Sequence, residues 1–201
     1  MQLNLALFDF DGTITTREML PDFFRIAIPS PRFRIGKILL APFIIGYRLR
    51  LIPGTFIRAV IVRIGFSGVS YCEYARKGRE FAVEVLPRVV RAEAIERIRW
   101  HKAHGDVVVV VSGALDIYLD HWCHHHGVEL ICSSLEVRNG VLTGRYRGEQ
   151  CVRSEKARWV ASRFPVASFA EVYAYGDTVE DRELLALASR KFYRGREVSG
   201  I

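Results

Sequence analysis

Apolar residues occur along this chain in short runs that lack the alternation of a half-exposed strand. The clearest are a mostly apolar stretch at residues 3–10 and five consecutive valines at 107–111. A third run of similar length covers residues 172–175. Runs of this kind are typical of strands covered on both faces, as in a parallel sheet between layers of helices. The pattern therefore predicts a buried parallel sheet.

Helical patterns separate and follow these runs. They predict helices over residues 92–104, 114–126, 154–163 and 180–188. Gly105 and Gly127 follow the first two, where glycine commonly ends a helix. Because strands alternate with helices, we expect an α/β fold with a three-layer, Rossmann-like parallel-sheet core.

Three further elements complete the predicted core. A short strand is expected near residues 128–132, and Asn139-Gly140 is typical of a tight hairpin turn. Phe192-Tyr193 is expected to form the last strand, at the edge of the sheet.

A long insertion separates the first strand from the helix at 92–104. At about 75 residues it greatly exceeds an ordinary strand-to-helix loop, so it should have its own structure. We expect residues 15–87 to form a mainly helical cap of two short helices. Residues 1–14 and 88–201 would form the core, and the cap would overhang the end of the first strand.

The insertion also carries the excess charge. Residues 17–63 contain nine basic and two acidic side chains, a net charge of +7 that equals the net charge of the whole chain. The same segment holds apolar runs at 38–45 and 56–64. These features are explained either by helices packed on the core or by peripheral contact with an anionic membrane.

Other classes of protein are not indicated. The longest uncharged run of the insertion, residues 38–47, is ten residues long and contains Pro42, whereas a spanning helix needs roughly 20. No signal peptide pattern precedes the first strand, and the four cysteines show no CxxC spacing. We therefore expect a cytoplasmic protein with free thiols, with association to a membrane surface as the open alternative. No nucleic-acid reader motif accompanies the basic segment, and no oligomeric state is predicted.

Polar groups follow the predicted strands at their carboxyl ends. Asp9 and Asp11 close the first strand, Ser112 the second, and Asp177 the third. Parallel strands present these ends on one edge of the sheet, so the side chains should converge, with Lys156 nearby. Adjacent carboxylates need a divalent cation or a shared proton between them, although aspartates also occur after strands as turn and capping residues.

Four ordered motifs resemble the haloacid dehalogenase superfamily, subfamily IB, in its phosphoserine-phosphatase-like branch. They are Asp9-Phe10-Asp11-Gly12-Thr13, Val110-Val111-Ser112-Gly113, Lys156, and Gly176-Asp177-Thr178-Val179-Glu180-Asp181. The resemblance implies a Mg²⁺-dependent phosphomonoester hydrolase that forms an aspartyl phosphate on a small ester such as phosphoserine.

The resemblance also implies a role for each motif residue. Asp9 would be the nucleophile and Asp11 the acid and base. Asp9, Asp177 and the backbone carbonyl of Asp11 would hold Mg²⁺, with Asp181 ligating it or orienting a bound water. Phosphoryl oxygens would be held by Ser112 and the Gly113 amide, placed at a helix N-terminus, and by Lys156. Thr13 and Thr178 would orient the aspartates.

The chain departs from phosphoserine phosphatases at two motifs and in the insertion. Those enzymes usually have serine in place of Gly12, and GDGxND in place of the fourth motif. Glu18 and Arg58 stand where the branch binds its substrate. The apolar, basic insertion is similar to that of lipid-phosphate members such as a bacterial phosphatidylglycerophosphatase. There are two alternatives to a phosphatase of small esters. One is a lipid-phosphate phosphatase that acts at the membrane surface, and the other is a phosphotransferase to an alcohol acceptor.

Overall fold

The computed structural model describes residues 3–49 and 51–200. Six strands form one sheet, whose central strand β1 (Leu5–Phe8) pairs in parallel with β2 (Val107–Leu115) and β6 (Val172–Gly176). Beyond β2 lies β3 (Glu129–Ser133), and beyond β6 lies β7 (Arg190–Tyr193), both parallel to their neighbours. An antiparallel strand, β8 (Arg196–Val198), forms the edge beyond β7, so the order of the sheet is β3-β2-β1-β6-β7-β8.

Helices cover both faces of the sheet. They are α5 (Ala92–Ala103), α6 (Asp116–His126), α7 (Ser154–Arg163) and α8 (Arg182–Ala186). Ala6 and Phe8 of β1 face a core cluster that includes α5 and α6, whereas Leu5 and Leu7 face a second cluster with α7 and α8. All four strand residues are buried because each face meets a helical layer. The predicted α/β fold with a three-layer parallel core is confirmed.

Three details of the core differ from the predictions. The second strand does not end at Ser112 but continues to Leu115, because a register shift lets it keep pairing with β3 beyond the glycine. The following helix accordingly begins at Asp116. The edge strand is β8 and not Phe192-Tyr193, and the last predicted helix is divided into a 3-10 turn, Val179–Asp181, and α8.

Between β1 and α5 the described residues form four α-helices and a 3-10 turn, Leu86–Arg88. The α-helices are α1 (Leu20–Ala27), α2 (Ser30–Arg48), α3 (Gly54–Phe66) and α4 (Tyr71–Glu84). The prediction of two short helices is wrong, since α2 alone has 19 residues and continues through Pro42. Among the described residues, no helix has both the length and the hydropathy needed to cross a bilayer.

The insertion leaves and rejoins the core at one place. Thr15 and Val90 form an isolated antiparallel bridge, and the amide of Thr16 donates to the carbonyl of Val89. The helices then pack on the core through aromatic side chains: the rings of Phe23 in α1 and Tyr118 in α6 are 4.9 Å apart. The limits 15–87 for a cap domain stay a prediction.

The predicted hairpin is present beside the insertion. Strands β4 (Leu135–Arg138) and β5 (Val141–Tyr146) pair in an antiparallel manner around Asn139-Gly140, where both residues have positive φ. The amide of Gly68 donates to the carbonyl of Leu142, so the hairpin is hydrogen-bonded to the segment between α3 and α4.

Candidate active site

Three aspartates meet where β1 and β6 end. Asp9 follows β1, Asp177 follows β6, and Asp181 closes the 3-10 turn after it. The two strands are direct parallel neighbours, so their carboxyl ends lie side by side. One carboxylate oxygen from each aspartate lies within 4.8 Å of the others. The convergence expected of Asp9 and Asp177 at this edge of the sheet is therefore present, and Asp181 lies beside them.

Lys156 lies between two of these carboxylates. Its Nζ donates to Oδ1 of Asp9 at 2.5 Å and to Oδ1 of Asp181 at 2.6 Å, and the side chain is 4% exposed. Burial acts to lower the pKa of Lys156, but the two carboxylates outweigh it and raise that pKa. Burial raises the pKa of Asp9, against the opposing effect of Lys156. The lysine thus supplies a permanent positive charge at the end of β1.

Asp181 uses both of its oxygens within the protein. While Oδ1 accepts from Lys156, Oδ2 accepts from the backbone amides of Asp177 (3.2 Å) and Thr178 (3.0 Å) and from the Thr178 hydroxyl (3.0 Å). This arrangement caps the 3-10 turn and fixes the loop that carries Asp177. Asp181 is thus held by four hydrogen bonds, and whether it ligates a metal or orients a bound water stays a prediction.

Gly12 and Thr13 shape the position of Asp177. The Thr13 hydroxyl donates to Oδ1 of Asp177 at 3.3 Å. Gly12 has φ +81°, and a Cβ at this position would lie 2.2 Å from Oδ2 of Asp177. Both the backbone conformation and the available space therefore require glycine here.

The Asp11 carboxylate lines the same cavity and is hydrogen-bonded to the start of the insertion. Its Oδ1 accepts from the backbone amide of Met19 at 3.0 Å, at the start of the insertion. Burial raises the pKa of Asp11 to about 7, with a smaller upward contribution from Glu18. A carboxyl with such a pKa can give and take a proton near neutral pH. Whether the carbonyl of Asp11 ligates a metal stays a prediction.

Ser112 and Gly113 face the same cavity from β2. The Ser112 hydroxyl accepts from the amide of Ala114 at 3.1 Å, and the side chain is buried. Contrary to expectation, neither residue lies at a helix N-terminus, because α6 begins three residues after Gly113. A Cβ on Gly113 would lie 2.7 Å from Cγ1 of Val152 and 3.4 Å from Nη1 of Arg58. The glycine keeps this part of the cavity floor open.

A cavity of about 680 Å³ joins these groups to the insertion. Its floor is formed by polar residues at and near the strand ends, among them Asp9, Lys156 and Asp177. Its walls include apolar side chains from α1 and α3, namely Leu20, Phe24, Ile57 and Ile61. Glu18 and Arg58 also line it, as the sequence predicts, but their contact with a substrate stays a prediction.

Four charged residues that line the cavity have no role predicted from the sequence, namely Arg17, Arg91, Arg153 and Glu180. Glu180 pairs with Arg58 at 3.4 Å and with Arg153 at 3.8 Å. For Glu180, the sequence did contain a signal: in the fourth motif, glutamate stands where the phosphoserine-phosphatase-like branch has asparagine.

The cluster of acids has the chemistry of a divalent metal site. Hard cations such as Mg²⁺ bind carboxylate oxygens, and burial raises the pKa of Asp177 as well as that of Asp9, which a nearby cation would offset. Among the described residues, Asp9, Asp177 and Asp181 form the one group of three or more such ligands that could hold an ion. The residues present therefore suit a metal.

Comparisons with known proteins agree with this geometry. The sequence model of a family described as haloacid dehalogenase-like hydrolase matches residues 6–186. Protein CicA of Caulobacter vibrioides is 29% identical over 196 residues, which cover 94% of this chain and 85% of that protein. A phosphoserine phosphatase of Archaeoglobus fulgidus is 34% identical over 139 residues, 65% of this chain and 40% of that enzyme.

A solved structure extends the likeness to the whole fold. The crystal structure of a protein of unknown function from Bordetella pertussis Tohama I has a TM-score of 0.78 and 25% identity. The match covers 95% of this chain and 89% of that one, so the similarity includes the inserted helices.

Proposed function

The chain belongs to the haloacid dehalogenase-like hydrolases, and from this membership we propose that it is a phosphomonoester hydrolase that acts on a small phosphate ester through an aspartyl phosphate. The observation that carries the proposal is the placement of Asp9. Its buried carboxylate faces the cavity floor, contacts Lys156, and lies beside two further aspartates that suit a metal.

The proposed reaction has two steps. Asp9 attacks phosphorus, the bond from phosphorus to the alcohol oxygen breaks, and Asp11 gives its proton to the departing alkoxide. Water then attacks the phosphorus of the aspartyl phosphate while Asp11 takes its proton, which releases phosphate and restores Asp9. Lys156, Ser112 and the Gly113 amide would hold the phosphoryl oxygens.

Mg²⁺ is the proposed cofactor. Asp9, Asp177 and the Asp11 carbonyl would hold it, with Asp181 orienting a bound water. The ion would offset the negative charge that accumulates between carboxylate and phosphate.

Residues 15–87 would act as a cap over this site. The cavity walls from α1 and α3 support this role, since they enclose the space above Asp9. Exclusion of water by such a cap would favour transfer of the phosphoryl group to Asp9, and its side chains would select the alcohol.

The test is phosphate release with Mg²⁺ from a panel of phosphoserine, sugar phosphates and nucleotides. We expect Asp9→Asn to lose activity by about a hundredfold or more, because an amide is a poor nucleophile. Asp120→Asn, an exposed aspartate of α6 outside the cavity, is the matched control and should retain activity. Equal phosphate release by Asp9→Asn and the unaltered protein would refute the proposal. Product analysis with added alcohols would identify a phosphotransferase.

A lipid phosphate at an anionic membrane surface is the second candidate. One observation favours it: among the described residues, seven large hydrophobic side chains in and just after α2 are each more than half exposed, namely Ile35, Ile38, Leu39, Ile45, Tyr47, Leu49 and Leu51. No acidic residue occurs between Asp22 and Glu73, so this surface also suits negative headgroups.

Vesicle binding separates the two candidates. The lipid candidate predicts sedimentation with phosphatidylglycerol vesicles, weaker for Ile38→Glu, and turnover of phosphatidylglycerol phosphate. Val83→Glu, at an exposed valine of α4, is the matched control. Absence of binding to these vesicles would eliminate the lipid candidate.

A further inference from the structure

Arg58 extends from α3 over the floor of the cavity. Its Nη1 would lie 3.4 Å from a Cβ built on Gly113, so the guanidinium lies against the glycine proposed to bind phosphate. Its Nε donates to the carbonyl of Gly54 at 3.4 Å, which directs the side chain along its own helix. An arginine in this place would be expected to attract an anionic group of a substrate close to the phosphate.

An internal carboxylate already faces that guanidinium. Nη2 of Arg58 lies 3.5 Å from Oε1 and 3.4 Å from Oε2 of Glu180, and Nε of Arg153 approaches Oε1 at 3.8 Å. The side chains of Arg58 and Glu180 are both largely covered, at 22% and 32% exposure. Glu180 thus lies between two arginines, on the edge of the cavity beside the Asp177 loop.

We propose that Glu180 occupies the anion-binding side of Arg58 and thereby makes the enzyme select phosphate esters that lack a carboxylate next to the ester. The inference rests on the proposed hydrolase function and narrows its substrate class. A carboxylated ester such as phosphoserine would have to displace Glu180 from Arg58. The displaced glutamate would remain near Asp177 and Asp181, so the exchange would bring like charges together.

A matched pair of esters tests this selection. Phosphoserine and phosphoethanolamine share the ammonium group and the phosphate ester, and they differ in the carboxylate alone. Each is measured as a competitor of p-nitrophenyl phosphate hydrolysis by the full chain with Mg²⁺, because competition reports binding whether or not the ester is turned over. We expect phosphoethanolamine to have an inhibition constant about tenfold lower than that of phosphoserine, a difference of about 1.4 kcal/mol.

Glu180→Gln should remove most of this preference. Phosphoserine should inhibit this variant more strongly than it inhibits the unaltered protein. In the Arg58→Gln background the same change should lose most of its effect, because no guanidinium is released. Glu183→Gln, which removes an exposed carboxylate of α8 outside the cavity, is the matched control and should leave the ratio unchanged.

The outcomes separate this inference from the function on which it rests. Equal inhibition by the two esters, inhibition by neither, or a ratio that Glu180→Gln does not alter would overturn the inference while the hydrolase proposal stands. A protein that hydrolyses neither p-nitrophenyl phosphate nor any ester of the panel would overturn both.

Discussion

The ammonium group of Lys156 lies 2.5 Å from the carboxylate of Asp9, and it joins the first turn of α7 to the end of β1 across 147 positions of sequence. The pair is almost completely buried, and Asp181 accepts a second hydrogen bond from the same ammonium. A buried pair of this kind is costly to break, since loss of one partner leaves the other charge uncompensated. Lys156 therefore holds the site together besides its proposed contact with phosphate.

Lys156→Met tests this structural role. Without divalent cations, we expect its free energy of unfolding to fall by about 3–5 kcal/mol, because Asp9 and Asp181 remain buried without a positive partner. Saturating Mg²⁺ should recover part of this loss, since the cation would replace the missing charge. Urea unfolding with and without Mg²⁺ measures both effects. Arg158→Met removes an exposed cation from the same helix and should cost less than about 1 kcal/mol. Equal stability of the two variants would contradict this account.

The strand-end acids could be predicted from sequence because their positions follow from a strong local pattern. Apolar runs without alternation identify buried strands, and parallel strands end at one edge, so Asp9 and Asp177 must converge. The hairpin was equally predictable, since Asn139-Gly140 suits a turn in which both residues have positive φ.

Other features depend on contacts that sequence alone does not reveal. The extension of β2 beyond Ser112 depends on pairing with β3, which overrides the glycine as a local stop signal. The contact between Arg58 and Glu180 joins residues 122 positions apart, and no local pattern reports such a pair. The insertion forms four α-helices where two were predicted, because α1 and α4 lie outside the two apolar runs at 38–45 and 56–64.

Gly12→Ala tests the space beside Asp177. The change adds a Cβ that would lie 2.2 Å from Oδ2 of Asp177, so the carboxylate must move. We expect the Mg²⁺ concentration for half-maximal phosphate release to rise by about tenfold or more, since ligand geometry controls metal affinity.

Gly68→Ala is the matched control for this change. Gly68 has a similar φ of +73°, but nothing lies within 4 Å of its Cβ position. The Gly68→Ala variant therefore has the same backbone strain of about 1–2 kcal/mol without the clash. Its Mg²⁺ dependence should equal that of the unaltered protein. A common response of both variants would show that backbone strain alone governs the effect.

Gly78→Ala tests the packing of the insertion on the core. Gly78 lies in α4, and a Cβ there would lie 2.4 Å from the backbone carbonyl oxygen of Ile117 in α6. We expect a loss of about 1–3 kcal/mol, because two helices must separate. In Gly36→Ala the added Cβ would make an ordinary 3.6 Å contact with Ile64, so the better helix propensity of alanine should stabilise α2 by up to about 1 kcal/mol. Thermal or urea unfolding measures the two changes in stability, which should have opposite signs. Two changes of the same sign would contradict the close contact between α4 and α6.

His101 is expected to make stability depend on pH. The ring is fully buried, with Nδ1 2.7 Å from Oδ2 of Asp106 and Nε2 2.8 Å from the hydroxyl of Tyr175. A neutral ring satisfies both contacts if Nδ1–H donates to Asp106 and the Tyr175 hydroxyl donates to Nε2. Burial lowers the pKa of His101, against the opposing effect of Asp106. The folded protein therefore binds this proton more weakly than the unfolded chain does.

The sign of the pH effect follows from that difference. Above the unfolded pKa of about 6.5 both states are neutral at this position and the full stability is present. As the pH falls below it, the unfolded chain takes up a proton that the folded protein binds less readily, so stability falls, by at most about 1.4 kcal/mol for each pH unit. Urea unfolding between pH 7.5 and 5.5 should show a steeper loss for the unaltered protein than for His101→Gln. His104→Gln, at an exposed histidine of the same region, is the control and should show the same dependence of stability on pH as the unaltered protein. Equal pH dependence of the unaltered protein and both variants would mean that His101 titrates alike in the folded and unfolded states.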